Sequence, residues 1–382
     1  MWYIFIMIES RVVVRMHMVT EMLKIIEAGL QKKPDKVQSY AQHMVEKLRE
    51  AGEEKLAERI INVLNKKSIH PVYLDEFLVK PVDQDSRLDM VDVYIPVEND
   101  QEAIIISDIT KVKLSQFINS VKHRDQFIEF GVRTPEALLL YGPPGCGKTS
   151  IARFISQQTG LPLVTAKLDG VVSSLLGSTA KNIRKIFEYA KERPCILFLD
   201  EFDAIAKARD DIHEMGELKR VVNSLLQNID DFNDGDHILI AATNHEKLLD
   251  PAVWRRFSTV LEVQKPSEKE IPDLLRTFLK TVECEFLQDA KKVHMLTQLM
   301  NGLSAADIKS VCFNTIKHFV LARESKLSYA SFLYQIYLFK GYTESDKHVI
   351  NFLNENGVTQ LDIAEALGIS HRQVRKVLVG GE

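Results

Sequence analysis

The run Gly142-Pro143-Pro144-Gly145-Cys146-Gly147-Lys148-Thr149 fits the pattern GxxxxGK[ST] completely. Glycines at this spacing let backbone N–H groups come close to an anion, and a helix opening at Lys148 adds the positive end of its dipole. Such a loop suits the phosphates of a nucleotide. Lys148 should reach the β- and γ-phosphates and the Thr149 hydroxyl should ligate Mg2+, with Gly142 through Thr149 and the following Ser150 forming the binding set. The context is the one the motif requires, because a strand, Leu138–Tyr141, precedes it and a helical pattern follows.

A second candidate lies at the end of another apolar run, Ile196-Leu197-Phe198-Leu199, which closes on Asp200-Glu201. Two carboxylates ending a buried strand make no sense as packing, since both charges would face desolvation. Beside a phosphate cradle they do make sense. Asp200 would hold Mg2+, partly through water, and Glu201 would orient and deprotonate an attacking water as general base.

Short β-branched or apolar runs must position these groups. They are Leu138–Tyr141, Leu163–Ala166, Ile196–Leu199, Ile238–Ala242 and Val260–Val263, and they alternate with helical patterns. That alternation predicts an α/β fold, a parallel sheet sandwiched by helices. From Ser267 to about Lys340 the pattern is helical only, and Thr343 to Glu382 reads as a last small helical unit. Upstream, Thr20 to Lys67 carries three helical stripes: Met22, Ile25, Ile26 and Leu30; Val37, Tyr40, Ala41, Met44, Val45 and Leu48; then Leu56, Ile60, Ile61 and Leu64. They read as core. Residues 68–100, with Pro71, Pro81 and Pro96, read as an extended connector. The expected division is therefore 1–85, 86–266, 267–341 and 342–382.

Bulk properties exclude several classes. Forty-nine basic residues against 53 acidic ones leave a net charge of −4, which argues against coating nucleic acid along the whole chain. Cys146, Cys195, Cys284 and Cys312 are far apart and form no CxxC pair, so a reducing cytoplasm is expected. His213 among Asp210, Asp211 and Glu214 reads as a solvated loop rather than a metal site. The apolar run Trp2–Ile8 is too short to span a bilayer, and no membrane insertion is expected.

With these residues in place, the chain resembles the AAA clade of ATPases over roughly residues 104–340. Further segments carry the resemblance: Phe202-Asp203-Ala204-Ile205-Ala206, Met215 to Asp230, Ala241-Ala242-Thr243-Asn244 and Leu249-Asp250-Pro251-Ala252. It implies hydrolysis of ATP to ADP and phosphate in a ring of identical subunits, a hexamer being the expected size. By the same resemblance Asn244 contacts the γ-phosphate or the lytic water. Arg255 and Arg256 then reach into the neighbouring subunit's site. The family's usual spacer between the two arginines is missing, which leaves open which one leads. Gly302 to Asp307 resembles the small-residue helix start of a lid near the adenine, without a sensor arginine, and Asp108-Ile109 resembles the segment meeting the base edge. Ser174-Leu175-Leu176-Gly177 resembles a pore loop gripping a protein substrate, with Leu175 and Leu176 in place of the usual aromatic. Packing is the alternative for those leucines.

No protease signature such as HExxH or GxSxG occurs, so any protease partner would be a separate chain. The resemblance extends to small bacterial proteins paired with a subtilisin-like protease in defence or plasmid-competition modules. Gln360 to Val377 reads as a helix-turn-helix with Gly368 at the turn; its second helix carries His371, Arg372, Gln373, Arg375 and Lys376 without an acid. Two functions follow: a protein-remodelling ATPase, or a DNA-associated ATPase directed by this tail.

Overall fold

The computed structural model describes residues 22–26, 34–50, 54–65, 77, 80–83, 89–96, 104–132, 135–168, 176–204, 215–234, 237–322, 326–342 and 345–379. Trp2–Ile8, Ser174-Leu175, Ile205-Ala206 and His213 with its acidic neighbours lie outside the described residues. The chain divides into two units, Met1–Pro71 and Val72–Glu382.

In the first unit α1 (Pro34–Glu50) and α2 (Glu54–Asn65) pack on each other. Pro34 opens α1, where its missing N–H costs nothing. Val45, Leu48 and Ala57 fill the seam, flanked by Met44, Ile60 and Ile61. Of the first stripe, read as core, Met22 and Ile26 stand 56% and 50% exposed and Ile25 is half-buried, while Leu30 lies outside the described residues.

The second unit is built on a sheet of β1 (Asp92–Tyr94), β2 (Glu136–Tyr141), β3 (Leu163–Lys167), β4 (Ile196–Asp200), β5 (Ile238–Thr243) and β6 (Thr259–Glu262). Their order is β1-β3-β4-β5-β2-β6. Every pairing is parallel except that of β1 with β3. The expected connector therefore contributes an antiparallel edge strand, and Phe77 from the same stretch is buried in the core. Three residues, Asp-Val-Tyr, are too few to show a period of two.

Alternate residues of β2 enter opposite cores, as strand geometry dictates. Leu138 and Leu140 meet α3 (Asp108–Lys122) and α5 (Lys148–Thr159) through Phe117, Ile118, Ile151 and Ile155. Ala137 and Leu139 face α6 (Leu176–Lys191) and α7 (Met215–Asn233) through Ile183, Phe187, Ile229 and Phe232. The short α4 (Arg124–Glu129) follows α3. Helices thus cover both faces of a mostly parallel sheet, the expected α/β class.

A helical C-terminal region follows. It comprises α9 (Ile271–Phe278), α10 (Ala290–Met300), α11 (Ala305–Ala322), α12 (Tyr329–Phe339), α13 (Asp346–Glu355), α14 (Gln360–Leu367) and α15 (His371–Val379); α8 (Pro251–Trp254) precedes β6. One core runs through this region, taking in Leu296, Ile308, Phe332 and Ile336 together with Leu353, Ile363 and Val374. Tyr337, Tyr342 and Phe352 join the two halves, with ring centroids 5.1 to 5.8 Å apart. Among the described residues no helix is long and apolar enough to cross a membrane.

Candidate nucleotide site

The glycine loop runs from the end of β2 to the start of α5. Gly142, Gly145 and Gly147 have φ of 142°, 73° and 100°, a region that side-chain-bearing residues rarely adopt. Two of them also answer to close approach. A Cβ on Gly142 would sit 2.2 Å from the Val263 carbonyl oxygen, and one on Gly145 would sit 2.7 Å from Ser304 Oγ. At Gly147 a Cβ would meet nothing within 4 Å, so that glycine faces open space at the N-terminus of α5. Pro144, Gly145 and Ser150 are exposed, and Pro143, Gly147 and Thr149 are half-buried. Cys146 is different: its thiol is buried beneath the loop, in the core with Ile151, leaving its backbone to serve the site. Burial pushes that thiol above its ordinary pKa.

The Lys148 side chain is buried, and its Nζ donates to the carbonyls of Gly142 at 2.7 Å and Pro143 at 2.9 Å. Burial lowers its pKa, opposed by Cys146 and by the carboxylates of Asp200, Asp203 and Glu246. A buried ammonium resting on carbonyls of its own loop, beside Gly147 facing open space at a helix N-terminus, fits a polyphosphate.

The carboxylates arrive from β4. Thr149 Oγ1 donates to Asp200 Oδ2 at 3.0 Å, and the Glu201 amide donates to Asp200 Oδ1 at 3.0 Å. This hydroxyl and carboxylate pair is an all-oxygen donor set of the kind Mg2+ takes, so the residues present fit that ion. Glu201 is exposed, with φ of 55°. A non-glycine residue held there is strained, and strain of this kind gathers at functional sites. The next amide, Phe202 N–H, donates to the Ala242 carbonyl at 2.9 Å and ties this turn to β5.

Asp203 was not singled out from sequence. It is buried, and its Oδ1 accepts from Thr243 Oγ1 at 3.1 Å and from the Asn244 amide at 3.2 Å. Thr243 Oγ1 accepts in turn from the His245 amide at 3.1 Å. Asp203 thereby holds Asn244 against the turn that carries Glu201. The available signal was a threonine ending the apolar run of β5, which is fully buried and must be hydrogen-bonded.

Arg255 and Arg256 follow α8, whose start is capped by Asp250 accepting from the Ala252 amide at 2.8 Å. Trp254 packs edge-on against Tyr141 at the end of β2, with centroids 5.5 Å apart. Phe257 meets Phe202 in the same way at 6.2 Å. The Arg255 side chain is exposed and has no polar partner among the described residues. Arg256 is engaged: its Nη2 donates to Asp230 Oδ2 at 2.8 Å and its Nη1 to the Ala252 carbonyl at 2.6 Å.

The helical region also reaches the loop. The Ala306 amide donates to the Gly145 carbonyl at 2.9 Å, and Lys265 Nζ donates to the Gly302 carbonyl at 2.6 Å. Ser304 and Asp307 cap the start of α11 reciprocally. The Ser304 amide donates to Asp307 Oδ2 at 2.9 Å, and the Asp307 amide to Ser304 Oγ at 3.1 Å. Asp108 and Ile109 are exposed at the start of α3, which Ser107 caps through the Thr110 amide. Of the expected pore loop, Leu176 and Gly177 open α6, and their side chains lie outside the described residues. On α15, His371, Arg372, Gln373, Arg375 and Lys376 are exposed while Val374 is buried.

Comparison with known proteins agrees with this geometry. Residues 138–265 match the family model described as ATPase family associated with various cellular activities (AAA). An uncharacterised AAA family ATPase of Sinorhizobium fredii is 40% identical over 238 residues, covering 62% of this chain and 70% of that protein. A proteasome-activating nucleotidase of Saccharolobus islandicus is 37% identical over 198 residues, half of each chain. One of Methanococcus maripaludis is 36% identical over 198 residues, 50% of this chain and 48% of that one. The chain thus spans about half the length of those nucleotidases. With the glycine loop, the Asp200-Glu201 strand end and the Asn244 turn assembled on one sheet, the chain belongs to the AAA family of ATPases.

Proposed function

We propose that this chain hydrolyses ATP to ADP and phosphate as one subunit of a homo-oligomeric ring, expected as a hexamer, and uses the cycle to remodel or unfold a protein. The observation that carries the reading is the junction of Thr149, Asp200 and Glu201 at the mouth of the glycine loop. The backbone N–H groups between Gly142 and Ser150, which Pro143 and Pro144 lack, and the Lys148 ammonium bind and orient the phosphates. To do so Lys148 exchanges the Gly142 and Pro143 carbonyls for phosphate oxygens, which favour its charged form more strongly than carbonyls do. Thr149 and Asp200 hold Mg2+, which supplies charge neutralisation on the phosphate oxygens. Glu201 accepts the proton of the attacking water, and Asn244, steadied by Asp203, orients that water or the γ-phosphate.

An arginine from the Arg255-Arg256 segment of a neighbouring copy completes the site, because guanidinium is planar, always charged and a multiple donor. Protein substrate would enter through the loop carrying Leu175 and Leu176. The relatives named as proteasome-activating nucleotidases favour protein as substrate, with a protease supplied by a separate chain. A cytoplasmic setting accords with four free cysteines at Cys146, Cys195, Cys284 and Cys312.

One observation favours a second reading. The exposed His371, Arg372, Gln373, Arg375 and Lys376 on α15, with Val374 turned into the core, present a basic face suited to duplex DNA. Steady-state ATPase assays test the first reading. Glu201→Gln should bind ATP and fail to turn it over, and normal turnover would remove Glu201 as the base. Salt-dependent duplex binding that Arg372→Ala/Arg375→Ala abolishes, with ATPase activity kept, would establish the second.

A further inference from the structure

The two adjacent arginines differ sharply in what holds them. Arg256 is clamped at side chain and main chain. Its Nε lies 2.7 Å from Asp230 Oδ1, its Nη2 donates to Asp230 Oδ2 at 2.8 Å, and its Nη1 donates to the Ala252 carbonyl at 2.6 Å. Its own carbonyl accepts from Asn233 Nδ2 at 2.9 Å. Asp230 and Asn233 both belong to the last turn of α7, so the clamp fastens the segment after α8 to the end of that helix. Phe257 then packs on Phe202, the residue after Glu201, which fixes the other side of the same segment.

Arg255 is the opposite case. Its backbone closes α8 as the C-cap, with φ of −67° and ψ of −14°, and its amide donates to the Val253 carbonyl. The base of the side chain is therefore rigid, while the guanidinium is exposed and without a polar partner among the described residues.

From this asymmetry we propose that only Arg255 acts across the subunit interface, and that Arg256 is a positioning residue that aims it by pairing with Asp230 of its own subunit. The proposal rests on the reading that an arginine of this segment completes a neighbour's site, and it divides the roles of the pair. Guanidinium is most effective at a phosphoryl group when it carries no competing anion. Arg256 would have to abandon an ion-paired, hydrogen-bonded carboxylate and a carbonyl to serve there, leaving Asp230 unpaired. Arg255 has nothing to abandon. A clamp on the adjoining residue sets where its tip can go, and small misplacements of such groups are costly in rate.

Asp230→Asn is the discriminating variant, because the two roles predict opposite signs. It leaves Arg256 intact and weakens only its anchor. If Arg256 positions Arg255, kcat should fall about tenfold to a hundredfold with KM for ATP unchanged, as for Arg256→Ala. Were Arg256 itself the group in trans, releasing it from Asp230 would leave kcat at or above the unmodified value, and that result would overturn the proposal. The charge exchange Asp230→Arg/Arg256→Asp provides a second measurement. Restoration of kcat to at least about ten times that of either single variant supports a clamp, since the ion pair is rebuilt without an arginine at 256. A folded exchange variant as inactive as Arg256→Ala argues against it; should the exchange fail to fold, Asp230→Asn decides alone. Arg255→Ala separates the two levels. Unmodified turnover in both Arg255→Ala and Arg256→Ala would sink the reading of trans action itself, whereas an active Arg255→Ala alone, or a dead Arg255→Ala beside a fully active Asp230→Asn, would sink only the division of roles.

Discussion

The Ala306 amide donates to the Gly145 carbonyl across 2.9 Å, so the first turn of α11 grips the glycine loop directly. Gly145 permits this because a Cβ would lie 2.7 Å from Ser304 Oγ and 3.0 Å from the Ala306 Cβ. The glycines of the loop should therefore fail differently when replaced. Gly142→Ala sets a Cβ 2.2 Å from a main-chain oxygen of Val263, which cannot move as a side-chain tip can. Thermal melting should show it as the most destabilised of the three alanine variants. Gly147→Ala meets open space and should cost only the positive-φ penalty of about 1–2 kcal/mol, with its main effect on nucleotide affinity. Equal melting temperatures for Gly142→Ala and Gly147→Ala would contradict the packing argument.

Glu201 combines a positive φ with the proposed role of base, which separates its effects on stability and on rate. Glu201→Gln and Glu201→Asn should both abolish turnover while keeping ATP binding. Asn tolerates the left-handed region better, so its variant should be about 0.5 to 1 kcal/mol more stable than the Gln variant in chemical denaturation. The reverse order would mean that the turn is not strained by its side chain.

Two inactive variants should complement each other if the site is shared between copies. Lys148→Ala loses the buried phosphate cation and with it ATP affinity, yet retains Arg255. Arg255→Ala keeps an intact loop that still binds ATP. Mixing them in equal amounts should restore part of the activity, read as phosphate release, because some interfaces then pair a working loop with a working arginine. Turnover per subunit that does not change on dilution would argue that no arginine acts in trans.

Burial pushes both Cys195 and Cys312 up to about 12, far above the 9.0 of a free thiol. The unfolded chain therefore releases these protons at lower pH than the folded one does. Stability is unaffected below pH 9.0 and falls as pH rises from 9.0 towards 12. Each thiol contributes a slope of up to about 1.4 kcal/mol per pH unit in that window. Urea unfolding between about pH 8 and about pH 10 should show the decline, and Cys312→Ala should make it shallower. An identical slope in that variant would remove Cys312 from the account.

Because α13–α15 share a core with α9–α12, removing them should injure the whole helical region. Truncation after Gly341 would uncover the side of Tyr337 that packs on Tyr342 and Phe352. Leu353→Ala, at a fully buried position, should lower stability by about 2–5 kcal/mol. A truncated chain melting at the unmodified temperature would show that the last three helices stand apart.

Apart from the Asn244 turn, which only the resemblance to the AAA clade marked, the sequence by itself determined the glycine loop, the strand ending in Asp200-Glu201 and the α/β class. Each is carried by neighbours in the chain: a motif with strict spacing, or an apolar run long enough to show its period. Even the last strand came within one residue, read as Val260–Val263 and found as Thr259–Glu262. What the tertiary structure decided are pairings over distance. Asp203 meets Thr243 across 40 positions, Arg256 meets Asp230 across 26, and Lys148 turns back on its own loop. The three residues of β1 become a strand because β3 offers an open edge, and α13–α15 join the preceding helices through a shared core in which Phe352 faces Tyr337. A carboxylate or guanidinium has the same formula whether it faces solvent, substrate or its own helix. Its role is set by which partner the closed fold brings within hydrogen-bonding distance, and no local pattern records that.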